Sequence, residues 1–260
     1  MVEMTIERNK MRHRTFCIFA LFVVLLAAGC AKNDQQNLNL EPPMYPISEY
    51  VNPDIDYPID VYDPFEGFNR CMYTFNYYFD SYIFIPIVNG YEYVTPDYVE
   101  RRIYHFVNNI FEFTNFTNNL LQLKFEEAGV TVLRFVINST VGIAGLWDPA
   151  TYMGLNLKYE DFGQTLGYYG VGDGPYLVLP VLGPSNLRDT TGLITDVVTF
   201  SLAGPPAWLD DDSATWIFTG ITAINKRRYE SFRYYQTGSP FEYEMIRMLY
   251  TAKREIMVDN

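Results

Sequence analysis

The sequence predicts a mainly α-helical single domain of amphipathic helices, carried behind a removable leader and a flexible amino-terminal tether. Three observations predict it. Large apolar residues recur at three- and four-residue steps through several long segments, with polar residues on the opposite side. Those segments open on Asp-Pro or Thr-Pro-Asp and close near Gly or Pro. After the leader, no segment reaches eighteen apolar residues, so no helix is expected to cross a bilayer in the usual way; each apolar stripe either packs on the protein core or lies within one leaflet.

Taken in order, residues 1–29 read as an export signal: Arg8, Lys10, Arg12 and Arg14 precede an apolar run over 16–28 that is too short for a span. Ala27, Ala28 and Gly29 ahead of Cys30 resemble the lipobox of bacterial lipoproteins, in which the thiol is diacylated and the leader removed, making Cys30 the first mature residue. The alternative is an ordinary cleaved signal with a coincidental cysteine and a soluble product. Several acyl chains, at about 0.8 kcal/mol per buried methylene, would hold the chain far more firmly than one. Ala31, where an aspartate commonly retains lipoproteins at the inner membrane, directs the expectation to the outer membrane. Residues 30–62 are rich in Asn, Gln, Pro and Asp without apolar periodicity and read as a lipidated tether.

The formal charge is -12, and removal of four basic and two acidic leader residues brings the mature chain to -14. Such a surface excludes nucleic acid as a partner and is not drawn to anionic headgroups, so membrane association must come from acyl chains and apolar faces. With Cys17 removed and Cys30 modified, Cys71 is expected to stand alone as a small packed side chain, leaving the core to hold the fold. The 22 Tyr and 19 Phe suit membrane interfaces and protein cores equally.

The body begins at Asp63-Pro64-Phe65-Glu66, where Asp63 can cap, Pro64 fits the first helical position and Glu66 the capping box. This helix is expected to end near Phe84, ahead of Pro86. Phe65, Phe68, Met72, Phe75, Phe79 and Tyr82 form its aromatic face; Asn69, Arg70, Asn76 and Asp80 lie off it. A second helix starts at Thr95-Pro96-Asp97, with Val99, Ile103, Phe106, Ile110 and Phe113 as its stripe and Glu100, Asn109 and Glu112 among its polar positions. A third covers about 125–138, with Val132, Leu133 and Val136 on one side. Gly142, Gly145 and Asp148-Pro149 end it. Asp189 is expected to cap a fourth helix reaching about Leu202 before Gly204-Pro205-Pro206, and helices near 214–235 and 241–257 close the chain behind the acidic segment 210–212.

Catalysis is not expected. The mature chain has one histidine, His105, which rules against a Ser-His-Asp hydrolase and, with so few thiols, against a zinc finger or thiolate cluster. Glu160, Asp161, Asp173 and Asp189 lack the spacing of a calcium loop. The run 167–174 lacks Gly-x-Gly-x-x-Gly order and meets Pro175 instead of a helix. No cofactor or metal is therefore expected.

Four stretches together resemble the MlaA family, also called VacJ: DPFEGFNRCMYTFN (63–76), RFVINSTVGIAGLWDPA (134–150), EDFGQTLGYYGVGDGPYLVLPVLGPSNLRD (160–189) and, more loosely, SPFEYEMIRMLYTAKRE (239–255). The resemblance spans 63–257, leaving 258–260 as a tail. It implies a helical ring around an amphipathic channel in the inner leaflet of the outer membrane. Such a ring would remove misplaced outer-leaflet phospholipid, pass it to a soluble periplasmic carrier and associate with trimeric porins. A headgroup crossing a leaflet needs a polar path because an unpaired buried phosphate is very costly. On this picture Asn69, Arg70, Asn76 and Asp80 are candidates for the path, and Phe65, Phe68, Phe75 and Phe79 for the lipid-facing stripe. Gly142 and Gly145, with Gly167, Gly170, Gly172 and Gly174 in the run 163–174 beside Pro175, Pro180 and Pro184, are candidates for a non-helical hinge or pore-side loop. The competing readings are a porin-binding adaptor that moves no lipid, and a phospholipase acting on the same lipid.

Overall fold

The computed structural model describes residues 61–205 and 212–259. The leader, Cys30, the tether as far as residue 60, Pro206, Asp210, Asp211 and Asn260 lie outside the described residues. Helix α1 spans Glu66–Phe79 and runs through a π-helical turn, Asp80–Phe84, into α2, Ile85–Val94. Then follow α3, Asp97–Leu121; α4, Phe125–Thr140; α5, Pro149–Tyr152; and α6, Phe162–Tyr168. Strands β1, Tyr176–Leu179, and β2, Gly183–Asn186, pair antiparallel from Tyr176 opposite Asn186 to Leu179 opposite Gly183. Helices α7, Leu187–Ala203; α8, Asp212–Tyr229; and α9, Glu242–Asp259, complete the chain. The mainly helical class holds, and no helix among the described residues is long and apolar enough to cross a membrane.

Several local expectations need correction. Pro86 does not stop the first helix: in the π turn the Ile85 N–H bonds the Asp80 carbonyl, and Pro86 enters as a first-turn residue of α2, where its missing N–H leaves no gap. Asp63 does not cap α1. It turns inward and accepts from Asn69 Nδ2 at 2.7 Å, Arg247 Nη1 at 2.8 Å and the Tyr243 hydroxyl, while Glu66 pairs with Arg70 at 2.7 Å. The cap of α7 is Asn186, whose side chain accepts from the Asp189 N–H, and Asp189 points its carboxylate elsewhere. The first part of the run 163–174, expected to be non-helical, belongs to α6, which Asp161 caps by accepting from the Gln164 N–H at 2.8 Å. Gly167 therefore sits in a helix and not in a loop. Cys71 is disulfide-bonded, so it is not the lone thiol expected.

The apolar core is small and aromatic. Met72 and Tyr73 of α1, Tyr176 and Val178 of β1, and Tyr243 of α9 are buried together. Tyr234 and Tyr235 present edges to Tyr73 at 4.9 and 5.2 Å between centroids, a favoured arrangement for rings. The hairpin is held against α1 by two amides. Asn69 donates to the Tyr176 carbonyl at 3.0 Å and accepts from the Val178 N–H at 2.8 Å; Asn76 does the same for Leu179 and Val181 at 2.9 and 2.6 Å.

Candidate functional site

Elsewhere the faces of the helices are inverted relative to a water-soluble bundle. Along α3 the side chains turned inward are Glu100, Asn109, Glu112, Asn115, Asn118 and Asn119, with Val107 the one apolar residue among them; on α4 they include Thr131, Arg134 and Asn138. Among the described residues twenty-three polar or charged side chains are buried against nine apolar ones, so burial here follows hydrogen bonding more than hydrophobicity. Meanwhile Leu133 and Val136 of α4, Ile194, Val197 and Leu202 of α7, and Trp216 and Ile217 of α8 are exposed.

Many of the buried polar groups are held by defined partners, although Glu100 Oε1, Asn109 Oδ1 and Asn119 Oδ1 have none among the described residues. Arg134 donates from Nε to Glu112 Oε1 at 2.6 Å, from Nη2 to Asp148 Oδ2 at 3.1 Å and from Nη1 to Thr151 Oγ1 at 3.1 Å. Burial raises the Glu112 carboxyl despite the opposing pull of Asn115 and Arg134. At Asp148 burial pushes the same way but is outweighed by hydrogen bonds from Thr151 and Asn138 and by the charge of Arg134, so its carboxyl is lowered. Arg254 of α9 joins α6 to α7 by donating to both Asp161 oxygens, at 2.6 and 2.8 Å, and to Asp189 Oδ1 at 2.9 Å. His105 is half-buried and lowered by burial, with Arg102, Arg101 and Arg134 adding to the effect against Asp148. Among the described residues no group of acidic, histidine or cysteine side chains is arranged to hold a metal ion.

A cleft of 430 Å³ opens between the end of α1 with its π turn, the tip of the hairpin, the carboxyl end of α8 and α9. Its walls are largely apolar, from Phe79, Phe84, Leu182, Ile246 and Leu249, and carry Asp80, Lys226, Arg227, Glu230 and Lys253. Asp80 accepts from Arg227 through both oxygens, at 2.6 Å each, and this bidentate contact raises the guanidinium pKa further.

The candidate path residues thus separate. Asp80 and Asn76 line the cleft, with Asp80 engaged by Arg227 and the Asn76 amide occupied by the hairpin backbone. Asn69 is buried against β1, and Arg70 lies half-exposed, pairing with Glu66 and Glu244; neither reaches the cleft. The aromatic stripe divides as well: Phe65 and Phe68 are 50% and 39% exposed, while Phe75 packs on the core and stacks with Phe79, a wall of the cleft. Gly142 is closed in, since a Cβ there would lie 2.4 Å from the carbonyls of Asn138 and Trp147. Gly145 has φ +85° against Asn109, whereas Gly170 and Gly172 face open space and Gly174 packs on Leu187. Lys226, Arg227 and Lys253 were not foreseen as site residues; nothing local in the sequence links the adjacent Lys226 and Arg227 to Lys253.

The MlaA lipoprotein family model matches residues 61–257. The chain belongs to the MlaA lipoprotein family. Among MlaA relatives, the intermembrane phospholipid transport system lipoprotein MlaA of Escherichia coli is 37% identical over 138 residues, 52% of this chain and 55% of that one. A protein of Rickettsia conorii is 45% identical over 169 residues, 65% of this chain and 66% of its own length. The chain thus spans about half to two thirds of the length of the curated relatives it matches. A solved structure concerned with the maintenance of bacterial outer membrane lipid asymmetry superposes with a TM-score of 0.58 at 28% identity, covering 75% of this chain and 98% of that one. The MlaA match takes in the inverted helices and the cleft together.

Proposed function

We propose that this protein is an outer-membrane lipoprotein, facing the periplasm and anchored through acylated Cys30. In this reading it withdraws misplaced phospholipid from the outer leaflet and passes it along an amphipathic path to a soluble periplasmic carrier. The carrying observation is the inversion of its helices. Polar side chains buried in hydrogen-bonded networks, beneath leucines, valines and tryptophan left outside, suit a body bathed in acyl chains with a hydrated interior. Membership of a lipoprotein family whose E. coli member is named for phospholipid transport supports the same reading. Trimeric porins fit as partners that would hold such a body in place. The chemistry is transfer and not catalysis.

The deciding experiment measures outer-leaflet phospholipid in cells lacking the gene, then in cells given back the wild type or Cys30→Ala. Accumulation in the null strain, reversed by wild type and poorly by the variant, is expected; unchanged lipid would leave only an adaptor role. Free fatty acid release by the purified protein would instead indicate a phospholipase. Mass spectrometry of the mature amino-terminal peptide reads the anchor directly, as the mass of the acyl chains added at Cys30.

A further inference from the structure

We propose that Lys226 and Lys253 form a phosphate-binding subsite in the 430 Å³ cleft that selects phospholipids with a net negative headgroup over zwitterionic ones. This rests on the phospholipid-transport reading and specifies which lipid the cleft takes. Four lysines fall within the described residues: Lys124, Lys158, Lys226 and Lys253. Lys124 pairs with Glu160 at 3.7 Å, and two of the other three line this one cleft. That concentration stands out in a chain of formal charge -12.

The charges of the cleft do not cancel. Arg227 is committed: it meets both oxygens of Asp80 and donates to the Glu230 carbonyl at 3.0 Å, so this pair contributes no net charge. Lys226 and Lys253 then face Glu230 alone. Among the described residues neither ammonium has a hydrogen-bond or ion-pair partner, while Glu230 already accepts from the Phe232 N–H at 3.2 Å. Two uncommitted cations against one partly engaged carboxylate, above an apolar floor where attraction is less screened than in water, attract a phosphodiester. A second cation on the same headgroup would be repelled by the lysines.

The walls identify the source of the phosphate. A free phosphate gains nothing from Phe79, Phe84, Leu182 and Leu249, whereas the glycerol and first tail carbons of a lipid would cover them. The volume lies within the range of small-ligand pockets, about 300–1,000 Å³. It suits a headgroup with the start of its tails, the rest of which would extend out of the cleft.

The test uses the purified mature lipoprotein in non-ionic detergent, with tail-labelled phosphatidylglycerol and tail-labelled phosphatidylethanolamine as competing probes. Wild type is expected to favour phosphatidylglycerol about threefold, the scale of one or two partly screened charge pairs. Lys226→Gln/Lys253→Gln should abolish the preference, Lys158→Gln should keep it, and Glu230→Gln should widen it. Circular dichroism checks that the variants, all altered at exposed side chains, fold alike. Equal binding of the two lipids by wild type, or a preference that survives the double substitution, would overturn the subsite while leaving phospholipid transport standing. Displacement of phosphatidylglycerol by equimolar inorganic phosphate or glycerol phosphate would mark a free-phosphate site and overturn the lipid assignment. Failure of wild type to bind either lipid would count against the transport reading itself.

Discussion

Asn69 and Asn76 lie seven residues apart on α1 and grip the hairpin at points three residues apart, Asn69 at Tyr176 and Val178, Asn76 at Leu179 and Val181. The spacing matches: seven helical residues rise about 10.5 Å and three strand residues about 10 Å. Each amide supplies the donor and acceptor that a strand neighbour would otherwise provide, so α1 serves as a third strand for β1. Asn69→Leu would leave a buried carbonyl and a buried N–H unpaired. At about 1–3 kcal/mol per unsatisfied group, a loss of about 2–5 kcal/mol is expected in chemical denaturation. Arg70→Ala, one residue on but half-exposed, should change stability by under about 1 kcal/mol. Equal effects would show that the register is held by something other than the amides.

The α3–α4 seam depends on Arg134 in the same way. Its guanidinium serves Glu112 and Asp148, and the Glu112–Arg134 contact is withdrawn from solvent on both sides. Arg134→Ala would strand an uncompensated buried charge and cost about 3–5 kcal/mol. The paired change Glu112→Leu/Arg134→Met removes both charges and is expected to be less harmful than Arg134→Ala alone. Thermal melts in detergent compare the two; a double variant as unstable as the single one would argue against the ion pair as the cause.

Acid should act through Asp148. Its carboxyl is held below the ordinary 3.8 because hydrogen bonds from Thr151 and Asn138 and the charge of Arg134 outweigh burial. A depressed folded value means that its stabilisation is full above 3.8 and drains away as pH falls through the folded value. Glu112 has the opposite sign: raised above 4.5 by burial, it contributes a loss of stability as pH climbs from 4.5. Asp148→Asn should therefore flatten the acid limb of a stability-against-pH curve, and Glu112→Gln should flatten the limb above pH 4.5. An acid limb unchanged in Asp148→Asn would place acid sensitivity elsewhere.

These networks also show what could be read from residues alone. The three-and-four periodicity locates α1, α3 and α4 closely, because amphipathic spacing belongs to the helix whatever solvent surrounds it. It does not say which face turns inward. In α3, Asn109, Glu112 and Asn115 would face water in a soluble bundle, and here they are buried. The hairpin was missed because its strands have four residues each and carry Pro180 and Pro184 at or beside them, which read as loop. Helix α6 did have a local signal: Asp161 and Gln164 stand in capping-box spacing, obscured by the glycines around them. The cleft had none, since Asp80 meets Arg227 across 147 residues, and only the fold brings Lys226 and Lys253 to one cavity.

The outward face of α4 gives the most direct test of the inversion. Leu133 and Val136 are 53% and 49% exposed, three residues apart on one side of the helix, while Arg134 and Asn138 point the other way. If this side meets acyl chains, Leu133→Glu/Val136→Glu removes two apolar contacts and adds two charges to the lipid boundary. Burying each such side chain contributes about 1.5–3 kcal/mol, so vesicle binding of an unacylated Cys30→Ala body should fall at least about tenfold. Because neither side chain supports the interior, its melting in detergent should shift by no more than about 0.5 kcal/mol in stability. Co-sedimentation with phosphatidylethanolamine vesicles supplies the binding measurement. Undiminished binding with the fold intact would mean that this face does not meet lipid, and the buried asparagines of α3 would then need another explanation.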